Sequence, residues 1–383
     1  KNSPLNKNKG SNSILIYDDL LSSYKIKDNH PMQPVRLSYV VELLESYGIF
    51  ATTGITMSKP ETAIETDLLT FHTPRYINAV KNPAFKPNQM GPNEFNIGYG
   101  DNPIFSNMYS IASLIVGSSI FAAKQIYLGK NNAVFNIAGG LHHAMPNNAS
   151  GFCIFNDPVI AINKLLSFGL KPAYIDIDCH HGDGVQHAFY DTDQVLTISI
   201  HESGKYIFPG TGFTDEIGKG KGKGYSVNLP LHPYTNDDIY IEVFENIVPK
   251  LIQLFKPDVI VAQLGIDTHY SDPLTHLCLT TQGHSKIVEI IKNLGHPIVA
   301  LGGGGYDLQA VSRGWANAFA VLSNYCLPDS IPDTYKSKHS ISTISDTQQP
   351  ELSSSMDKYV HKFANKSLLA IENSILPILK NSL

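Results

Sequence analysis

Residues 173–184 read Ala-Tyr-Ile-Asp-Ile-Asp-Cys-His-His-Gly-Asp-Gly. Ala173 to Ile177 make a mostly apolar run of strand length, and Asp176, Asp178, His180 and Asp183 crowd its end. Near-continuous apolar strands belong to parallel sheets covered on both faces, where ligands bind beyond the carboxyl ends of the strands. The pattern recurs outward in both directions. Ile14 to Tyr17 reads as a short strand. The run 133–138 leads into Gly139-Gly140-Leu141-His142-His143, and 195–200 leads into His201. Likewise 258–264 leads into Gly265 and Asp267, and 297–301 into Gly302-Gly303-Gly304-Gly305-Tyr306. Helical apolar spacing fills the intervals at 34–47, 109–129, 158–168, 237–255, 281–293 and 308–322. The alternation predicts an α/β fold, a single open parallel-sheet domain with helices on both faces and five strand ends converging on one rim.

The chain has 383 residues, 42% hydrophobic and 16% charged, a globular rather than a disordered balance. With 29 basic and 34 acidic side chains the net charge is −5, so no bulk positive field exists to grip nucleic acid. No apolar run approaches the roughly 18 residues that span a bilayer. The polar start carries no apolar signal stretch, which points to a cytoplasmic protein without a membrane partner. Four cysteines without a C-x-x-C pair fit neither a disulfide scaffold nor a thiolate zinc cluster. Residues 1–13 read as a polar leader without ordered structure, 14–335 as the α/β domain and 336–356 as a polar linker. Residues 357–383 read as an amphipathic helix, with Val360, Phe363, Ser367, Ile371 and Ile375 on one face. The lysines and glycines of 217–224 read as an exposed loop, since no phosphate-loop motif is present.

Six of the 15 histidines fall between His142 and His201. The pair His142-His143 alone is weak evidence of a site. Asp178 and His180 are stronger, because residues i and i+2 of an extended segment project to one side and can share a cation. Asp267, near the end of another strand, is a candidate third ligand. Three protein ligands leave positions open, as catalytic rather than structural metal sites do. One His with two carboxylates suits Zn²⁺ and leaves Fe²⁺ and Mn²⁺ open. The glycine run before Tyr306 is not a dinucleotide fingerprint, because Asp307 and Leu308 stand where its last Gly is needed.

Taken together, GGLHHA, ASGFC, DIDCHHGDGVQ, FPGTG and LGGGGY closely resemble the zinc-dependent histone deacetylase superfamily. HESGKYIFPGTG, HYSDPLTHL and GGGGYDLQAVSRGWA are most similar to its prokaryotic acetoin-utilization branch. The resemblance runs from about Ile14 to Leu322. It implies an arginase/deacetylase-type fold and a hydrolase that removes acetyl groups from lysine side chains of proteins, linked to acetate or acetoin metabolism. Acetylated metabolic enzymes are the partners it implies. One catalytic Zn²⁺ per chain would be held by Asp178, His180 and Asp267, and Fe²⁺ is compatible with the same ligands. His142 and His143 match the tandem histidines, backed by Asp176 and Asp183, and Tyr306 matches the transition-state tyrosine. Gly151, Phe152, Phe208 and Gly304 match substrate-tube positions, with Leu274 at the mouth and Asp101 as the rim carboxylate. Arg36 matches the arginine of the foot pocket beneath the metal. Structural K⁺ or Na⁺ would be held by Asp176, Asp178, His180, Ser199 and Ile200 at one site, and by Phe189, Thr192, Val195 and Tyr225 at a second. Cys179 departs from the commoner small or aliphatic residue between the ligands, and is expected to sensitise the site to oxidants.

Three rivals are weighed. Acetylpolyamine or small-amide hydrolases of this fold tend to narrow the entrance by a long insertion near 84–100, where this chain has no large insertion. A two-metal ureohydrolase needs further carboxylates, and Gly265-Ile266-Asp267-Thr268-His269 offers no second aspartate. A catalytically dead acyl-lysine module would have lost a ligand, a histidine or Tyr306, and none is lost.

Overall fold

The computed structural model describes residues 12–83 and 93–381. Most of the expected leader and most of the 84–100 loop lie outside the described residues. Eight strands form one parallel sheet: β1 (Ser13–Ile16), β2 (Ile55–Ser58), β3 (Ala133–Asn136), β4 (Pro172–Asp176), β5 (Leu196–Glu202), β6 (Ser226–Leu231), β7 (Val259–Gln263) and β8 (Ile298–Leu301). Their order is β2-β1-β3-β8-β7-β4-β5-β6.

Neighbouring residues on the central strands enter opposite cores. Phe135, Ile175, Ile260 and Ala300 join the core beneath the helices Val35–Ser46, Asp237–Phe255, Thr281–Asn293 and Leu308–Leu322. Val134, Tyr174, Val261 and Val299 join the core beneath Met108–Tyr127 and Asp157–Ser167. Burial on both faces is why these strands read as near-continuous apolar runs. The main helices begin where side chains accept otherwise unpaired backbone N–H groups: Asn236 from Ile239, Thr280 from Gly283 and Asp307 from Ala310.

Three expectations are corrected. Met108–Tyr127 is long and apolar enough to cross a membrane by composition, although no such run was expected. Here 72% of its most apolar stretch is buried inside the protein, where Gly117 lets the backbone of Glu61 and Ala63 approach closely. Residues 336–356 are not a loose linker: they include the end of a helix, Asp333–His339, the buried Ile341 and Ile344, and the shielded side chain of Asp346. Apolar anchors spaced through a polar stretch do not show in its composition. The amphipathic helix spans Ser354–Ser374 and is followed by a short separate helix, Leu376–Asn381. It covers the sheet edge at β6, where Ser367 Oγ donates to the Pro230 carbonyl at 2.7 Å.

Candidate active site

The strand ends that carry the polar clusters, those of β3, β8, β7 and β4, are neighbours in the sheet. Metal-ligating atoms of Asp178, His180 and Asp267 lie within 4.8 Å of one another, all three residues buried. His180 Nδ1 stands 2.8 Å from Asp267 Oδ2 and 3.3 Å from Asp178 Oδ1. Each carboxylate is also fixed from behind. Asp178 Oδ2 accepts from Gly304 N and Gln263 Nε2, both at 2.7 Å. Asp267 Oδ1 accepts from Cys179 N at 2.7 Å. A Cβ on Gly304 would overlap Asp267 Oδ2, which explains a glycine there.

The donor set suits a cation. Burial opposes charge on His180, yet the Asp178 and Asp267 carboxylates hold its pKa well above the ordinary value. Burial and the Asp178 charge push the Asp267 carboxyl up to about 7. Two buried carboxylates thus face one point whose negative charge protons now offset and a divalent ion, displacing them, would neutralise.

The tandem histidines differ in charge. His142 Nδ1 is 2.7 Å from Asp176 Oδ2, which also accepts from Tyr174 Oη at 2.7 Å. Burial disfavours its charged form, but the Asp176 and Asp178 carboxylates overcome this and raise it to about 9. His143 Nδ1 is 2.7 Å from Asp183 Oδ1. Burial and the neighbouring His142 charge push it down to about 4 against the pull of Asp183.

Aromatic rings flank His143 and Tyr306. Phe208 stands 5.0 Å from His143, edge to face, and Phe152 stands 5.6 Å from Tyr306. A Cβ on Gly151 would come 2.5 Å from His143 Cδ2 and 2.9 Å from Phe208 Cε1, so this position needs glycine. Leu274 and Tyr306 share the wall of an open groove with His30. Asp101 is exposed, its carbonyl held 3.2 Å from His30 Nε2. Beneath, Arg36 donates to the Gly305 and Gly303 carbonyls at 2.7 and 2.8 Å, bracing the backbone that supplies Gly304 N. It also lines a narrow cavity of about 40 Å³ with Tyr24, Leu141 and Phe152.

The remaining expected residues fall outside this cluster. Ser199 Oγ stands 2.7 Å from His201 Nδ1, and the Ile200 carbonyl accepts from Tyr240. Phe189 ends the helix Asp183–Phe189, Thr192 and Val195 lead into β5, and Tyr225 precedes β6. His201 is not a rim residue, because its other ring nitrogen bonds the Gly212 carbonyl at 2.9 Å. Cys179 is fully buried, with burial holding its thiol well above the ordinary value, the opposite of an oxidant-prone thiolate. Sequence reading missed Gln263, although a lone amide in an apolar strand is a legible signal. It also missed Asp272, which accepts from Tyr306 N and Leu274 N at 2.9 Å each.

A family model described as the histone deacetylase domain matches residues 30–322. The chain belongs to the histone deacetylase family. The deacetylase is 40% identical over 313 residues to the acetoin utilization protein AcuC of Bacillus subtilis, covering 79% of this chain and 80% of that protein. It is 38% identical over 321 residues to human histone deacetylase 1, covering 82% of this chain and 65% of the human protein. A crystal structure of an HDAC homolog from Aquifex aeolicus superposes with a TM-score of 0.81 at 32% identity, covering 93% of this chain and all of that one. The family is metal-dependent, and Asp178, His180 and Asp267 form a possible metal site for it.

Proposed function

We propose that this deacetylase removes acetyl groups from lysine side chains of proteins, using one zinc ion held by Asp178, His180 and Asp267. The observation that carries the reading is the meeting of this ligand set with two histidines, one protonated and one neutral, beside an aromatic opening. When bound, the ion supplies a Lewis acid for the amide carbonyl and lowers the pKa of water.

Acetylation removes the lysine charge, so the neutral chain passes Phe152 and Phe208 without stripping water from an ammonium. Asp101 offers a carboxylate to the substrate backbone at the rim. With Nδ1–H tied to Asp183, neutral His143 presents Nε2 as the acceptor for the proton of the attacking water. The water oxygen bonds to the acetyl carbon, the C–N bond breaks, and His143 returns the proton to the leaving lysine amine, giving acetate and free lysine. His142 stays protonated and acts through its charge. Tyr306, held well above its ordinary pKa by burial and by Asp267 and Asp178, keeps its O–H to donate to the oxyanion. The small cavity that Arg36 lines suits a short acyl group. K⁺ or Na⁺ at the two structural sites, a cytoplasmic location and acetylated metabolic enzymes as substrates complete the proposal, the last supported by the likeness to AcuC.

Turnover of an acetyl-lysine peptide is to be compared with that of an N-acetylpolyamine, before and after chelation. Peptide turnover lost on chelation and restored by Zn²⁺ is expected. Turnover of the polyamine alone overturns the substrate class, and chelator-insensitive turnover overturns the metal.

A further inference from the structure

The Asp346 carboxylate, 3% exposed, belongs to the segment expected as a linker and lies outside residues 30–322 matched by the family. Its Oδ1 is 2.8 Å from Arg313 Nη1, on the helix that follows Tyr306. Its Oδ2 accepts from Thr281 N at 2.7 Å, at the start of the helix Thr281–Asn293, and lies 2.8 Å from His269 Nε2. Its own backbone N donates to Gln282 Oε1 at 2.9 Å. His269 Nδ1 accepts from Ser271 N at 3.2 Å, which leaves the ring's one hydrogen on Nε2, pointing at Asp346. One buried carboxylate therefore joins the start of one helix, an arginine from the body of a second and a loop, with a donor for each oxygen. Such a fully satisfied group fixes geometry.

The loop is the one that leaves β7. It carries Asp267, then His269, then Asp272, whose carboxylate holds the backbone N–H groups of Tyr306 and Leu274. We propose that Asp346 is a positioning residue: it anchors His269, and through it the Asp267–Leu274 loop, so that a segment beyond the family domain sets a metal ligand and the tyrosine. This rests on the proposed site, but the link itself is a property of the chain.

The test uses the full chain with Asp346→Ala and His269→Phe. The second keeps the Arg313 and Thr281 bonds to Asp346 and so spares the fold if the first does not. Hydrogen exchange of residues 268–274 in the metal-free protein, the rate of Zn²⁺ loss to a chelator, and kcat and KM on an acetyl-lysine peptide are measured. Faster exchange confined to the loop is expected, with Zn²⁺ retention weakened by up to about 10-fold, less than the roughly 10-fold to 100-fold typical for loss of a group bonded directly to a ligand. The kcat should fall while KM stays near wild type. Asp357→Asn, on the exposed part of the tail helix, should change none of these. Wild-type loop exchange and Zn²⁺ release in folded His269→Phe overturn the proposal. An inactive wild-type chain would sink the proposed function and leave the exchange result to decide the link.

Discussion

Asp176 and Asp183 place two adjacent imidazoles in different charge states, and this gives opposite expectations for two similar substitutions. In Asp176→Asn the carboxylate that keeps His142 at about 9 is gone, so His142 loses its charge near neutrality. That charge helps hold His143 at about 4. The pKa of His143 therefore rises, and the acid limb of kcat/KM, which reports the free base, moves to higher pH. In Asp183→Asn a carboxylate that raises His143 is removed, so the limb moves to lower pH while kcat falls through loss of the Nδ1 anchor. A pH profile of both variants that moves in the same direction, or not at all, contradicts the assignment of His143 as base. Tyr306 gives a separate expectation, since its O–H contributes mainly to the transition state. Tyr306→Phe should lower kcat about 10²-fold to 10³-fold with little change in KM, measured by steady-state kinetics; unaltered kcat would remove the tyrosine from the reaction.

At the scale of elements, legibility followed burial. β3, β4, β7 and β8 are buried along their whole length, so their sequences have no alternation to blur the reading. β2 exposes Met57 and Thr56 and carries only one buried residue, and it was not read. β6 contains Asn228 and Pro230; an edge position tolerates the proline's missing donor, but the pattern looks like a loop. The tail helix resolves that edge by covering it. Val360, Ile371 and Ile375 are at most 1% exposed and Phe363 is half-buried, so the stripe seen in the sequence is a docking face. Ile371→Ala should cost about 2–5 kcal/mol, the usual range for truncating a buried isoleucine, read as a lower urea midpoint at unchanged slope. A surface-lying helix would show almost no change.

Across the whole molecule, β7 and β8 come late in the chain yet lie between β3 and β4. This crossover brings Asp267 to Asp178 and His180, and the motifs at strand ends made that meeting readable. Asp272 and Asp346 were not readable, because their roles arise from contacts between segments that no local spacing records. The same crossover ties the site to global stability. Without a cation, two buried carboxylates oppose each other, with Asp267 driven up to about 7 by burial and by Asp178. A ligand that binds only the folded chain stabilises it, by about 2.7 kcal/mol at a hundredfold excess over Kd. Zn²⁺ should therefore raise the Tm of metal-free protein, and chelation should lower that of the loaded form. Because protons must leave His180, held well above its ordinary value, and Asp267, raised to about 7, for the ion to bind, the Zn²⁺-induced rise should shrink as pH falls. Calorimetry at several pH values, with Asp267→Asn as control, decides this: a variant whose Tm responds to Zn²⁺ as the wild type does would show that the ion binds elsewhere.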